Sequence, residues 1–173
     1  SPETLKPVRG GLEQMLDKQT MQRLHLWAWH DLGLKILKEN LGAIKRKAPL
    51  KVEPNPQKII QRILQKQKKE LDPNTLELST GLDEFAVAAA IAIYKANLVS
   101  PKTVKEIAKD DIESLIARVY QSYEDQLQRA NRIDHDDMVT LAVLILLERP
   151  DIRARYQCHF DFVLVDEYQD ATP

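Results

Sequence analysis

Cysteine is almost missing from this chain. Of 173 residues only Cys158 is a thiol, which excludes an intrachain disulfide and a cysteine-built zinc site. Cys158 reads as a small apolar residue rather than a nucleophile. Long apolar runs are also wanting: the longest, residues 85–94 and 138–147, fall far short of the ~20 that a bilayer span needs. The opening Ser-Pro-Glu-Thr-Leu-Lys-Pro lacks the basic-then-apolar order of a secretion signal. A cytoplasmic protein without a membrane partner is therefore expected. No Gly-x-x-x-x-Gly-Lys-Ser/Thr loop occurs, so these residues hold no cradle for nucleotide phosphates, and Gly10-Gly11-Leu12 does not replace one. Repeats and low-complexity tracts are absent.

What is present suits a globular chain: 43% apolar and 29% charged residues. The net charge of −1 conceals a division. Residues 35–70 hold eleven Lys/Arg against three Glu, a net +8, and residues 110–170 hold fourteen acids against six Arg and no Lys, a net −8. Such asymmetry points to a polyanion-binding face beside an acidic part. A solvated helix face can also be this rich in lysine.

Residues 24–28 alternate and carry aromatics, which predicts a short strand. Trp27 and Trp29 would then share one face, where core packing is expected over base stacking. A helix follows, with Leu34, Ile36, Leu37 and Leu41 at helical spacing and Gly42 placed to end it. A basic, proline-interrupted linker leads to Asn55-Pro56, a helix start. Ile59, Ile60, Ile63 and Leu64 share one face of that helix, Lys66, Lys68 and Lys69 sit in its last turns, and Asp72-Pro73 should stop it. Further helices are expected from Thr80–Asp83 to Asn97, over 104–109, from Asp111 along the stripe Ile112, Leu115, Ile116, Val119, Tyr120, Tyr123 and Leu127, from Asp134 to Glu148, and briefly after Pro150. The three acids Asp134, Asp136 and Asp137 imitate a metal cluster, yet their place in a first helical turn is accounted for by the macrodipole.

The last residues are the most informative. Phe162-Val-Leu-Val165 reads as a short buried strand that ends on Asp166-Glu167, and open α/β sheets place ligands at such an edge. The coarse result is mainly α: two short strands, at 24–28 and 162–165, expected to pair in parallel, with a long helical stretch between them.

Asp166-Glu167-Tyr168-Gln169-Asp170 after an apolar strand resembles the second motif of UvrD/Rep/PcrA-type DNA helicases. Three further blocks add to the resemblance: Trp29-His30-Asp31-Leu32-Gly33 is similar to the family's single-strand-contacting segment, Lys95-Ala96-Asn97 with Pro101 to its Lys-Asn stretch, and Asp134-His135-Asp136-Asp137-Met138 to the block before the second motif. Ala28, Asp31 and His135 stand where the family has Thr, Ser and Phe. The likeness implies a fragment of an ATP-dependent DNA helicase that translocates on single-stranded DNA and unwinds duplex in DNA repair or replication. Its helical insert subdomain (45–132) would be attached to two strands of an incomplete RecA-like α/β P-loop domain (1–44 and 133–173). Two other readings stay open: a non-catalytic DNA- or partner-docking module, and the helicase subunit of a helicase–nuclease.

By the resemblance, ATP and Mg²⁺ are the cofactors of the parent protein. Asp166 would hold Mg²⁺ through water, Glu167 would act on the attacking water, and Gln169 would sense the γ-phosphate. His30 would contact single-stranded DNA. Lys66, Lys68 and Lys69 would attract DNA phosphates, single-stranded or duplex, without reading sequence. The rest of the helicase chain is the implied protein partner.

Overall fold

The computed structural model describes residues 5–168. Ten helices and two very short strands make up the described residues. Helices α1 (Lys6–Met15) and α2 (Lys18–Arg23) bury no residue. An extended stretch, 24–28, leads into α3 (Trp29–Glu39). Strand β1 (Lys51–Val52) precedes α4 (Pro56–Lys68), α5 (Pro73–Leu78), α6 (Glu84–Ala96), α7 (Pro101–Ile107) and α8 (Asp111–Arg129). Strand β2 (Arg132–Ile133), α9 (His135–Glu148) and α10 (Pro150–Gln157) complete the order.

The chain is mainly helical with two short parallel strands, as expected, but the strands are not where the alternation placed them. β1 pairs with β2, Lys51 opposite Arg132 and Val52 opposite Ile133. The ladder continues through Glu53 N–H to the Ile133 carbonyl at 2.7 Å, and the Arg132 guanidinium meets the Glu53 carboxylate at 2.7 Å. Asn131 ties the two segments further, donating from its side-chain amide to the carbonyls of Lys47 (2.8 Å) and Pro49 (2.9 Å). Residues 24–28 and 162–165 belong to no strand. A strand is completed by a neighbour's N–H and C=O groups, and no neighbour for either segment lies among the described residues. The expected buried run is consequently open: Phe162 is 91% and Leu164 97% exposed.

Two cores hold the molecule. In the first, α4, α6, α7 and α8 bury Ile60, Leu64, Val87, Ile91, Val104, Leu115, Val119, Tyr123 and Leu127. The 3.6-residue stripe of α8 is thus the centre of a helical packing. In the second, α3, α9 and α10 enclose Ile36, Leu37, Ile133, Met138, Ile145 and Ile152. Here α3 and α9 approach closely at Gly33, where a Cβ would lie 2.1 Å from the carbonyl oxygen of Met138. Only a residue without a side chain fits.

Capping explains most helix starts. The side chains of Asp83, Ser100, Asp110 and Asp134 each accept from the backbone N–H three residues on. Asp72-Pro73, expected to end a helix, also begins one: Asp72 accepts from the N–H groups of Asn74 and Thr75, and Pro73 fills the first position of α5. Asn55 precedes α4 without a side-chain cap bond; Pro56 alone sets that start.

Candidate functional site

The residues singled out by sequence fall into two places. The first is built where α3, α6, α8 and α9 meet. Val87, Ile91 and Lys95 lie four residues apart on the buried face of α6, so the Lys95 ammonium is carried inside, 2% exposed. Burying a cation is costly unless carboxylates surround it. Three do. Lys95 Nζ lies 2.7 Å from Asp134 Oδ2, 2.7 Å from Asp137 Oδ1 and 2.8 Å from Glu124 Oε1. Tyr123 of α8 donates its hydroxyl to Asp134 Oδ2 at 2.8 Å, and its ring centroid is 5.3 Å from the ammonium.

Asp134 and Asp137 also form a reciprocal capping box. The Asp137 N–H donates to Asp134 Oδ1 at 2.8 Å, and the Asp134 N–H donates to Asp137 Oδ2 at 3.1 Å. The macrodipole accounts for acids at this helix start, and the structure adds a second task for both, that of enclosing Lys95. The three carboxylates stand close enough to share one cation; here that cation is the ammonium. Asp136, the third acid of that run, lies outside this group.

Electrostatics follow from the burial. Burial by itself lowers the proton affinity of Lys95, but Asp137, Glu124 and Asp134 reverse this and raise it, so the ammonium stays charged. Burial, then the Asp137 charge, pushes the Glu124 carboxyl up to about 7. Asp137 is raised by burial too, with Lys95 opposing. Tyr123 is raised by burial and by Asp134, and remains a hydroxyl donor.

Beside this cluster lies the turn that begins α3. The ring of His30 stands 3.8 Å from that of His135, tilted 43°. Burial, then the neighbouring His135, holds the imidazole of His30 below the usual histidine range, so it is neutral near pH 7. Trp29 projects outward, 51% exposed. Trp27 is half-buried, stacked on His25 (4.9 Å) and edge-on to Phe160 (5.6 Å). The expected common face of the two tryptophans is absent because the backbone turns from extended to helical between them.

The second place is the segment 162–168. Asp166 and Glu167 are exposed; Asp166 Oδ1 accepts from the Glu167 N–H at 2.9 Å, and Glu167 has φ +49°. Gln169 and Asp170 lie outside the described residues. The three lysines at the end of α4 separate. Lys66 and Lys69 are exposed, whereas Lys68 donates to the carbonyls of Ser79 (2.7 Å) and Leu82 (2.8 Å), tying α4 to the turn before α6.

Sequence reasoning placed Tyr123 and Glu124 only as parts of a helix, and Lys95 only in the block similar to the family's Lys-Asn stretch, with no role in a buried cluster. One signal was available: a lysine in register with Val87 and Ile91 sits on an apolar stripe, and such a lysine requires buried acids.

The class of protein so defined is a mainly helical domain whose two cores are bridged by a buried ion cluster. Comparison supplies the family. The model of the UvrD/REP helicase N-terminal domain matches residues 6–173. Over 159 residues the chain is 28% identical to the ATP-dependent DNA helicase Rep of Buchnera aphidicola subsp. Acyrthosiphon pisum (strain APS), covering 92% of this chain and 24% of that protein. It is 26% identical to the ATP-dependent DNA helicase PcrA of Leuconostoc citreum, covering 95% of this chain and 21% of the relative. With the ATP-dependent DNA helicase Rep of Escherichia coli (strain K12) it shares 28% identity, over 91% and 22% respectively. The chain belongs to the UvrD/REP helicase N-terminal domain family, and it spans about a fifth to a quarter of these relatives' length. None of the helices among the described residues is long and apolar enough to cross a membrane.

Proposed function

We propose that this chain is part of the first motor domain of an ATP-dependent DNA helicase of the cytoplasm, one that translocates on single-stranded DNA and separates duplex in repair or replication. Residues 45–132 would be the helical insert, and 1–44 with 133–173 pieces of the RecA-like P-loop domain. One observation carries the reading. The three blocks that resemble the family away from the acidic end, at His30, Lys95 and Asp134–Asp137, converge on one spot although 39 residues separate Lys95 from Asp134. A resemblance of sequence alone has no reason to be contiguous in space.

The residues fit a Mg²⁺–nucleotide in part. Asp166 and Glu167 offer exposed, hard oxygen donors after the exposed apolar run 162–165, while the phosphate cradle is not among the 173 residues. When bound, the metal neutralises phosphate charge. On the protein side, Asp166 would hold it through water. Glu167 would accept the proton of the attacking water, and Gln169 would sense the γ-phosphate. His30, neutral, would meet DNA by hydrogen bonding rather than by charge. Lys66 and Lys69 would supply a weak, salt-dependent attraction to phosphates; Lys68, already bonded to two carbonyls, contributes less.

The test is DNA-stimulated ATP hydrolysis by the full-length protein. Glu167→Gln should lower kcat by about 10²–10⁴-fold, the usual contribution of a general base, and the 173-residue chain alone should be inactive. Hydrolysis by that chain, abolished by Glu167→Gln, would overturn the assignment of the phosphate cradle to other residues. Unchanged hydrolysis by the full-length variant would overturn the role of Glu167.

A further inference from the structure

None of the roles proposed above uses Lys95, yet with Asp137 it is among the most deeply enclosed charges of the described residues. It reaches out of the first core, from the last turn of α6, to the first turn of α9 in the second. The two acids it grips are the N-cap of α9 and the third residue of that helix, and His135 is the first residue between them. His135 in turn covers the ring of His30 at 3.8 Å. α9 also lies close against α3 at Gly33, where an added Cβ would be 2.1 Å from the Met138 carbonyl oxygen. The start of α9 is therefore packed on two elements, gripped by Lys95 of α6 and close against α3 at Gly33, and α3 also carries His30. Thr140 adds a bond from its hydroxyl to the Lys95 carbonyl at 3.3 Å, fixing the end of α6 to the same helix.

We propose that Lys95 is a positioning residue for the DNA-contacting turn at His30: by gripping Asp134 and Asp137 it sets the first turn of α9, and that turn seats His135 against His30. The inference rests on the reading of His30 as a DNA contact. Lys95 itself touches no DNA, being closed off by Tyr123, Glu124, Asp134 and Asp137. Its effect is geometric. With the ammonium removed, the buried carboxylates repel one another or take up protons, the capping box loosens, and His135 leaves its place over His30. The groups that then face His30 are Asp31 and Asp136, both of which raise its proton affinity.

The experiment uses the full-length helicase, its Lys95→Met, His30→Ala and double variants, and an oligo-dT probe at fixed salt. Lys95→Met and His30→Ala should each weaken oligo-dT affinity about ten-fold, and the double variant should be no weaker than the poorer single one, because both act on one contact. At saturating DNA, kcat for Lys95→Met should stay within about two-fold of the parent, since folded enzyme carries intact carboxylates at Asp166 and Glu167. The histidine NMR titration of His30 should move upward in Lys95→Met. A purely structural lysine would instead lower the active fraction, and so kcat, with affinity and titration unmoved. Should Lys95→Met not fold, Tyr123→Phe removes only the hydroxyl bond to Asp134 and should weaken affinity about two-fold, again without adding to His30→Ala. Multiplying losses, or an unmoved His30 titration, overturn the proposal. If His30→Ala leaves affinity unchanged, the reading of His30 falls; the titration in Lys95→Met then decides separately whether Lys95 seats the histidine pair.

Discussion

Asp134–Asp137 and Asp166–Glu167 are chemically alike and physically opposite. Both place adjacent or near-adjacent carboxylates where the sequence turns from apolar to acidic. The first pair is buried and bonded within the chain, to Lys95, to Tyr123 and reciprocally to each other. The second stands on an exposed run, where Asp166 accepts from the neighbouring N–H of Glu167. A carboxylate whose partners are in the same chain serves the fold. One held open to solvent costs the fold little and remains available to a ligand. Acidity in a sequence therefore reports chemistry, and burial decides whether stability or binding uses it.

The largest way to break this contrast is to remove the cation from the buried side. Lys95→Met leaves three carboxylates around an apolar tip, and breaking a buried pair by deleting one partner costs about 3–5 kcal/mol. Urea unfolding of the chain should show that loss as a fall in midpoint. A midpoint within error of the parent would mean that water already reaches the cluster. Next in size is Gly33→Ala. Its Cβ would stand 2.1 Å from a backbone oxygen, so α3 and α9 must separate, at about 2 kcal/mol once the usual gain of alanine in a helix is set against the overpacking. The same unfolding measurement checks it.

How much of this was legible in the sequence differs element by element. The stripes of α4 and α8 are local, and period alone gives them: Ile59, Ile60 and Leu64, and Leu115, Val119, Tyr123 and Leu127, are all buried. Strand formation is not local. Residues 24–28 and 162–165 have the right composition, but pairing depends on partners that the composition of these segments does not report. Conversely, β1 and β2 are two residues long, too short for any periodicity, and arise because Asn131, Glu53 and Arg132 knit the connection. For the site, the acids at the start of α9 were readable as first-turn acids of a helix, and their binding to Lys95 was not, since it needs the fold to bring α6 to α9. The lysines of α4 read as one patch and are two kinds, because only the turn at Ser79–Leu82 shows what Lys68 does.

The pH dependence sharpens the contrast on a finer scale. Glu124 has its folded-state proton affinity raised, to about 7, above the ordinary 4.5. Between those values the folded chain holds a proton that the unfolded chain has lost, so this group makes stability fall as pH rises from about 4.5 to about 7, and above that range its cost is constant. Glu124→Gln removes the titration. Relative to the parent it should stabilise the chain at pH 8 by about 1–2 kcal/mol, a value reduced for the quarter of the side chain still exposed, and the advantage should shrink towards pH 5. Thermal unfolding at the two pH values reads the difference. An advantage that grew on acidification would mean that Lys95 stabilises the ionised Glu124 more than burial opposes it.

The smallest effect belongs to the open pair. Asp166→Asn with Glu167→Gln removes two charges on exposed residues. Surface changes of this kind shift stability by no more than about 0.5 kcal/mol, so unfolding of the 173-residue chain should be the same before and after. The same double change in the full-length protein should abolish nucleotide hydrolysis if these acids hold metal and activate water. The two readouts should separate the pairs: Lys95→Met is expected to cost stability and spare turnover, and the Asp166 and Glu167 changes to cost turnover and spare stability. A loss of stability in the isolated chain on changing Asp166 and Glu167 would show that the acidic end is packed rather than open, and the distinction between the two pairs would fail there.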